Sequence, residues 1–302
     1  MQQLNNHDFR HCLLRTVYKI APFDLKGDLK VELSHSVQQT ISCLIITSKR
    51  PKELDLLLED LADQTLNKER FEVIILNDGG GKVIQEVVEK YRPILQIVYR
   101  ENGDPHRIIS DLRNMTVEMS EGKYILFLDD DTRILQKDFL AKSLDLLDQT
   151  QADIVLVQGK PLYGLVKQRY CHLDQYSFAN RCCLCQRKAL ENIGGFKAHL
   201  HSYEDIELSI RLIIYGFQIF KTDELTYFHP PFYFDSLRKP LSIGQTVFQI
   251  RHHYSFLVWL LVYLNALRFL PFGLIPKKSY QQWFRISLGV LLYPFVRKAY
   301  YY

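Results

Sequence analysis

The sequence predicts an α/β fold, a mostly parallel sheet covered on both faces by helices, and three observations predict it. From Thr40 onward, short apolar runs alternate with stretches of helical periodicity, the pattern of strand–helix–strand units. The runs are apolar at consecutive positions, as strands buried on both faces require. Two polar clusters, Asn77-Asp78-Gly79 and Asp129-Asp130-Asp131, follow such runs directly. They therefore sit at strand C-terminal ends, where open parallel sheets bind ligands.

Taken in order, residues 1–36 show no clear periodicity and read as an N-terminal extension. Ile41 to Ile46 is the first strand. Pro51 opens a helix through Leu54, Leu57, Leu58 and Leu61, at a first-turn position that tolerates proline. Phe71 to Leu76 is the next strand, followed by a helix (Val83 to Tyr91), a strand (Leu95 to Tyr99) and a helix (Ile108 to Met119). The strand Lys123 to Leu128 runs straight into the three aspartates. Beyond it come a strand (Asp153 to Val157), a cysteine-rich strand, and a helix from Arg187 to Gly194-Gly195-Phe196. A further helix starts near Tyr203 and ends by Gly216. Composition turns aromatic, apolar and basic near Gly244, which sets the expected boundary between a central domain, 37–243, and a C-terminal helical segment, 244–302.

The 302 residues suit one large domain or two small ones, and 47% hydrophobic content is enough to pack them, which excludes global disorder. A net charge of +4 is too mild to indicate nucleic acid, and none is expected as a partner. The distribution says more. The last acidic residue is Asp235, and beyond His252 the only charges are Arg268, Lys277, Lys278, Arg285, Arg297 and Lys298. That asymmetry suits an anionic surface. The N-terminus is polar, without the apolar core of a secretory signal, so the six cysteines are expected as free thiols in a reducing compartment. Cys182-Cys183-Leu184-Cys185, even with His172 upstream, lacks the paired spacing of structural zinc sites and reads as a buried strand.

Three consecutive carboxylates repel one another, and a hard divalent ion, Mg²⁺ or Mn²⁺, relieves that repulsion while bridging to diphosphate oxygens. A solvated acidic loop is the alternative. Asn77-Asp78-Gly79 is either a simple turn or one wall of a nucleotide cleft shared with the aspartates. Glu204-Asp205 opens a helix, where carboxylates cap the N-terminus or, beside a sugar site, serve as general base.

In order and spacing, these residues resemble glycosyltransferase family 2 over about Thr40 to His229. Thr47-Ser48-Lys49-Arg50 stands where the family has a Pro-Thr-Tyr-Asn-Arg-like stretch, without its proline. Gln64, Asn77-Asp78-Gly79, Arg113-Asn114, Glu121-Gly122-Lys123-Tyr124, Phe127 to Asp131, Gly194-Gly195-Phe196 and Tyr203-Glu204-Asp205 follow in family order. The resemblance implies a GT-A (Rossmann-like) fold and inverting, metal-dependent transfer from a nucleotide-diphosphate sugar to a saccharide or lipid-linked acceptor. By the same resemblance Asp78 contacts the base, the backbone around Thr47 lines that pocket, and Arg113 and Asp130 lie at the donor. Asp129 and Asp131 are the outer members of an Asp-x-Asp motif. Asp131 is the direct metal ligand, Asp129 faces the ribose or a metal-bound water, and His229 is an additional ligand. Asp205 is the catalytic base and Glu204 its supporting neighbour. Gln249 and Arg251 do not reproduce the Gln-x-x-Arg-Trp of processive synthases, which argues against a polymerising enzyme. Two other readings stand beside this one. The first is a catalytically silent sugar-nucleotide-binding protein; the second is a nucleotidyltransferase, which would want the glycine-rich phosphate loop that Thr47 to Pro51 lacks.

In the tail, Phe256 to Leu264 is a run of nine apolar residues, followed by Asn265, Arg268 and Pro271. Spanning a membrane takes about 20 apolar residues, and a buried Arg268 would cost about 2.5–3.5 kcal/mol. Together with Trp283 to Val296 and its flanking aromatic residues, including Tyr300 to Tyr302, the run reads as helices lying in the membrane surface. Spanning passage, a helical subdomain and a dimer interface are the alternatives. The expectation is a cytoplasmic protein held peripherally on the cytoplasmic membrane, with residues around 159–180 contributing to the pocket that sets sugar, nucleotide base and acceptor.

Overall fold

The computed structural model describes residues 2–3, 9–30, 39–104, 106–161, 181–230 and 236–296. The chain opens with a two-residue strand β1 (Gln2–Gln3) and helix α1 (Phe9–Ile20). The alternating region follows: β2 (Gln39–Thr47), α2 (Pro51–Ala62), β3 (Phe71–Asn77), α3 (Lys82–Tyr91), β4 (Ile97–Glu101), α4 (Ile109–Glu118) and β5 (Gly122–Asp129). Next come α5 (Phe139–Thr150), β6 (Ile154–Pro161), β7 (Cys182–Gln186), α6 (Arg187–Ile193), α7 (Glu204–Tyr215) and β8 (Ile219–His229). Three helices finish the described chain: α8 (Arg238–Gln249), α9 (Phe256–Leu267) and α10 (Lys278–Val296).

One sheet, in the order β1-β8-β6-β7-β5-β2-β3-β4, runs through the molecule. β4, β3, β2 and β5 are mutually parallel, and β6 pairs parallel with β8. β7 is inserted antiparallel between β5 and β6, so β6 and β8 point the same way as β5. The C-terminal ends of β2, β3, β5 and β8 therefore lie at one edge of the sheet. β3 is buried at every position because helices cover both faces, and its one buried charge, Glu72, accepts from Ser42 Oγ and Glu121 N, each at 2.6 Å. Leu54, Leu57, Leu58 and Leu61 of α2 pack with Ile84 and Val88 of α3 and Phe139 to Leu147 of α5 on one face. Leu190 and Ile193 of α6 and Leu208 and Leu212 of α7 pack on the other. Fully burying each of these side chains contributes about 1.5–3 kcal/mol.

The cysteine-rich strand is β7. Cys182 and Leu184 face the first core; Cys183 and Cys185 face the second. Alternation thus splits the three thiols between opposite faces of the sheet, where they cannot share an ion. Burial pushes each of these thiols above its ordinary range, which keeps them protonated. His172 and most of the stretch 159–180 lie outside the described residues, as do Tyr300 to Tyr302.

Several elements lay outside the sequence reading, α1, α5 and β8 among them. The stretch read as an extension holds α1, whose Leu14 packs with Ile214, Ile250, Val258 and Trp259. Residues 27–29 then run along the Gly-Gly-Phe motif. Gly27 N donates to Ile193 O at 2.8 Å, Leu29 N to Gly194 O at 2.9 Å and Asp28 N to Phe196 O at 3.0 Å. A Cβ on Gly27 or Gly194 would overlap the facing backbone, and Gly194 has φ +71, so the motif is a docking strip for backbone. The boundary drawn at Gly244 falls inside α8, which the apolar contacts of Ile243 and Val247 with Ile286 and Val290 carry continuously through that position.

Candidate active site

β2 and β3 end in register, Thr47 opposite Asn77, and β5 ends one residue away, with Asp129 opposite Ile46. Hydrogen bonds knit the loops that follow. Asp78 N donates to Thr47 O at 2.7 Å, Ser48 Oγ to Asp78 O at 2.7 Å, and Thr47 Oγ1 to Asp130 Oδ2 at 3.0 Å. Asn102, just past β4, donates to Asp78 Oδ1 at 2.8 Å and aims that carboxylate. Asp78, Thr47 and Asp130 thus belong to one connected wall.

Arg113 projects from α4 into the same place. It is buried, and its Nη2 donates to Asp129 Oδ1 at 2.6 Å. Its Nε and Nη1 are also buried and have no hydrogen-bond partner among the described residues. Leaving guanidinium donors unsatisfied is costly, about 1–3 kcal/mol or more for a charged group, and acceptor oxygens placed against this edge would relieve that cost. Next to it, Asn114 exchanges two 2.9 Å bonds with the backbone of Phe196, tying α4 to the Gly-Gly-Phe strip.

His229 reaches the aspartates by a route that local sequence does not reveal. After Asp131 the chain folds back, and Arg133 pairs antiparallel with Phe228. Asp60 of α2 pins that return, accepting from Arg133 at 2.6 and 2.7 Å and from Ile134 N at 2.9 Å. His229 Nε2 consequently lies 2.9 Å from Asp131 Oδ1 and 3.7 Å from Asp129 Oδ2. Among the described residues, Asp129, Asp131 and His229 form the one cluster of ligand atoms suited to a metal, all within 4.8 Å of one another. The donor set fits a divalent cation. Nδ1 of His229 faces the Pro230 carbonyl at 2.7 Å, so the ring proton can stay on Nδ1 and leave Nε2 to a cation when one is bound. Arg50 also reaches in, its Nη1 3.1 Å from Asp130 Oδ1 and 2.7 Å from Asp131 Oδ2.

Electrostatics separate the carboxylates. Burial works against the charge of Asp129, but His229 and Arg113 outweigh it and hold the group well below the usual carboxylate range. Burial raises Asp130 to about 6, with Asp131 adding repulsion. Burial likewise opposes the charge on His229, yet the Asp129 and Asp131 carboxylates raise it to about 9, so the imidazolium supplies positive charge where a cation would. Glu204 and Asp205 start α7 from an unusual backbone: Tyr203 adopts φ +67. A left-handed tyrosine costs on the order of 1–3 kcal/mol, and packing of Tyr203 against the α8–α10 cluster offsets it. Burial, then repulsion from Glu204, pushes Asp205 up to about 7, and Asp129 lies near enough to add to that rise.

The structure thus gathers Asp78, Thr47, Arg113, Asp129, Asp130, Asp131 and His229 at one end of the sheet, with Glu204 and Asp205 beside them. Arg251 takes no part, its guanidinium lying 5.2 Å from the Trp259 ring centroid. Sequence reading passed over Arg50, Asn102 and Asp60 as site residues. The available signal was position: Arg50 and Asn102 lie just beyond strand ends that neighbour the acidic ones.

A family model described as glycosyl transferase family 2 matches residues 42–193, half of the chain. The poly(ribitol-phosphate) beta-N-acetylglucosaminyltransferase TarS of Staphylococcus aureus is 29% identical over 127 residues, 41% of this chain. That match spans 21%, about a fifth, of the relative's own length. Glycosyltransferase AglE of Haloferax volcanii is 21% identical over 244 residues, 74% of this chain and 80% of that protein. Among solved structures, residues 1–349 of S. aureus TarS in complex with UDP-GlcNAc superpose with a TM-score of 0.59 at 19% identity, covering 87% of this chain and 84% of that one. The mannosyltransferase PcManGT from Pyrobaculum calidifontis, in complex with GDP-Man and Mn²⁺, gives 0.62 at 14% identity, covering 96% and 94%. At such identities the likeness shows the fold, which is GT-A.

Proposed function

The chain belongs to glycosyl transferase family 2, and from that premise we propose that it moves a sugar from a nucleotide-diphosphate donor to an acceptor hydroxyl, with inversion. The observation that carries this reading is the buried, unsatisfied edge of Arg113 beside Asp129, Asp131 and His229. Few ligands need a guanidinium and a divalent-cation site side by side; a diphosphate does.

In this reading Asp78 and the Thr47 backbone hold the base, with Asn102 fixing the Asp78 carboxylate. Asp131, Asp129 and His229 hold Mn²⁺ or Mg²⁺. When bound, the ion supplies positive charge against the charge that develops on the leaving diphosphate. Arg113, bonded to Asp129 beside that cluster, adds its positive charge to the same group. Asp205 takes the proton of the acceptor hydroxyl as that oxygen bonds to the anomeric carbon and the bond from carbon to diphosphate oxygen breaks. Attack opposite the leaving group is a single displacement, so the anomeric configuration inverts. A carboxylate raised to about 7 is a stronger base than an ordinary one and is still largely ionised at slightly alkaline pH.

The test is a thermal-shift screen of nucleoside diphosphates with and without Mn²⁺, followed by NMR of the anomeric proton of the product. A donor should raise the melting temperature only with metal. Metal-independent shifts, or a product that retains the donor's configuration, would refute the mechanism.

The C-terminal helices supply the proposed membrane contact. Phe256–Leu274 is long and apolar enough to cross a membrane by length and composition, and little of it is buried. Phe256, Leu257, Leu264 and Leu274 are exposed, and so are Phe9 and Ile20 of the adjacent α1. A peripheral position on the cytoplasmic membrane, with a saccharide or lipid-linked acceptor, accounts for this surface and for the basic tail. Replacing Phe256, Leu264 and Leu274 together by serine should abolish flotation with anionic vesicles; unchanged flotation would exclude this face.

A further inference from the structure

The helix that carries the proposed base starts badly by local rules. Tyr203, the residue before it, sits at φ +67, a left-handed backbone that a side chain disfavours. Its side chain makes no capping hydrogen bond among the described residues, although aspartate, asparagine or serine there would cap the helix. The first turn of α7 is closed by Glu207 N, which donates to the Tyr203 carbonyl at 3.0 Å. Within that turn Asp205 Oδ1 accepts from Ile206 N at 2.8 Å, so the carboxyl group is held by the turn's own backbone. A change in the backbone angles of Tyr203 swings its carbonyl away from Glu207 and opens the turn on which Asp205 stands.

The body of α7 is fixed from elsewhere. Arg211 donates two 2.7 Å bonds to Glu207 in the interior, and its Nη2 donates to Gly195 O at 2.8 Å. The Tyr254 hydroxyl reaches Glu207 Oε1 at 3.0 Å. Only the entry to the helix is left to the residue in front of it, and the C-terminal helices hold that residue. Tyr203 packs against a cluster made by Ile243 and Val247 of α8, Ala266 of α9, and Ile286 and Val290 of α10. Ser202, buried beside it, has its Oγ 2.9 Å from Ser242 Oγ of α8. Backbone outliers persist where the surroundings over-determine them, and here the surroundings are α8 to α10.

We infer that Tyr203 is a positioning residue for Asp205, acting through a left-handed backbone that α8 to α10 enforce. The C-terminal helices are then part of the transfer machinery as well as the proposed membrane face. The inference rests on the assignment of Asp205 as base.

Carbon-13 NMR titration of the Asp205 carboxyl group, assigned by its loss in Asp205→Asn, tests this in the full chain. Tyr203→Ala and Tyr203→Gly both remove the aromatic contact, but only glycine takes up the left-handed backbone freely. The alanine variant should open the turn and expose the carboxyl group. Its midpoint should then fall by about one pH unit or more from the wild-type value, because burial and Glu204 raise it there. The glycine variant should stay within about half a unit of wild type. Ile286→Ala, which loosens the cluster from α10, should lower the midpoint in the tyrosine chain and leave it unmoved in the glycine chain. That pair keeps the test open if the alanine variant fails to fold. Melting temperatures are followed alongside. Variants that melt lower while Asp205 keeps its midpoint would make Tyr203 a packing residue only, and equal falls in alanine and glycine would show that handedness is immaterial; either result overturns the inference. Calorimetry with UDP and GDP in Mn²⁺ should give wild-type affinity in both Tyr203 variants. Absence of that binding from the wild-type chain would defeat the transferase reading, while the titration, which needs neither donor nor acceptor, still decides the role of Tyr203.

Discussion

Asp129 and Asp205 are both aspartates at the ends of regular elements, a strand and a helix, yet their environments drive them in opposite directions. Asp129 has a guanidinium at 2.6 Å and an imidazole at 3.7 Å, and is held well below the usual range. Asp205 is pushed up to about 7 by burial and then by repulsion from Glu204. The difference teaches that position at an element's end says little about protonation; burial and the charges that surround the group decide it. An ionised carboxylate flanked by cations suits a ligand, and one near neutrality suits a proton carrier.

The strongest way to break this comparison is at Asp205. Asp205→Asn should lower transfer by up to about 10⁴-fold while leaving Mn²⁺-dependent nucleotide affinity unchanged, read by product formation and calorimetry. The sign of its pH dependence follows from the raised value. The base works ionised, so the wild-type rate should climb as pH rises through about 7. The folded chain keeps a proton that the unfolded chain releases, so ionisation of Asp205 costs stability between its ordinary range and about pH 7. Asp205→Asn should accordingly melt higher than wild type at pH 8, with the gain shrinking toward pH 4.

Asp131→Asn should remove Mn²⁺-dependent nucleotide binding and lower transfer by roughly 10³-fold, which sharpens the ligand side of the comparison. His229→Gln should weaken Mn²⁺ by roughly ten- to a hundredfold without abolishing it, measured by Mn²⁺ electron paramagnetic resonance. Arg50→Gln is the smallest effect. Arg50 is more than half exposed and competes with a cation for Asp131, so its loss should tighten Mn²⁺ by only about twofold to fivefold. A weaker Mn²⁺ affinity in that variant would mean that Arg50 supports the ion rather than displacing it.

Much of the fold was legible because its strands are short and buried on both faces. β2, β3 and β5 read directly from Ile41 to Ile46, Phe71 to Leu76 and Lys123 to Leu128. α1 was not legible, since its one fully covered residue is Leu14 and both its ends are exposed. β8 was missed for a related reason: its burial is interrupted at Asp223 and Glu224, and its register shifts between Val157 and Gln158 of β6. At the site, the aspartates announced themselves by clustering. Asn102 and Asp60 did not, because each acts through a hydrogen bond to a residue far away in the chain.

By itself the sequence determined the alternation of strands and helices, the end of the sheet at which carboxylates gather, and the order of the motifs. These follow from local apolar runs and from the cost of burying clustered carboxylates inside a strand. Tertiary structure alone decided that His229 meets Asp131, through the Arg133–Phe228 pairing, and that Tyr203 is held left-handed by α8 to α10. Such meetings depend on register and on loops closing over long separations, and no local pattern of residues encodes them.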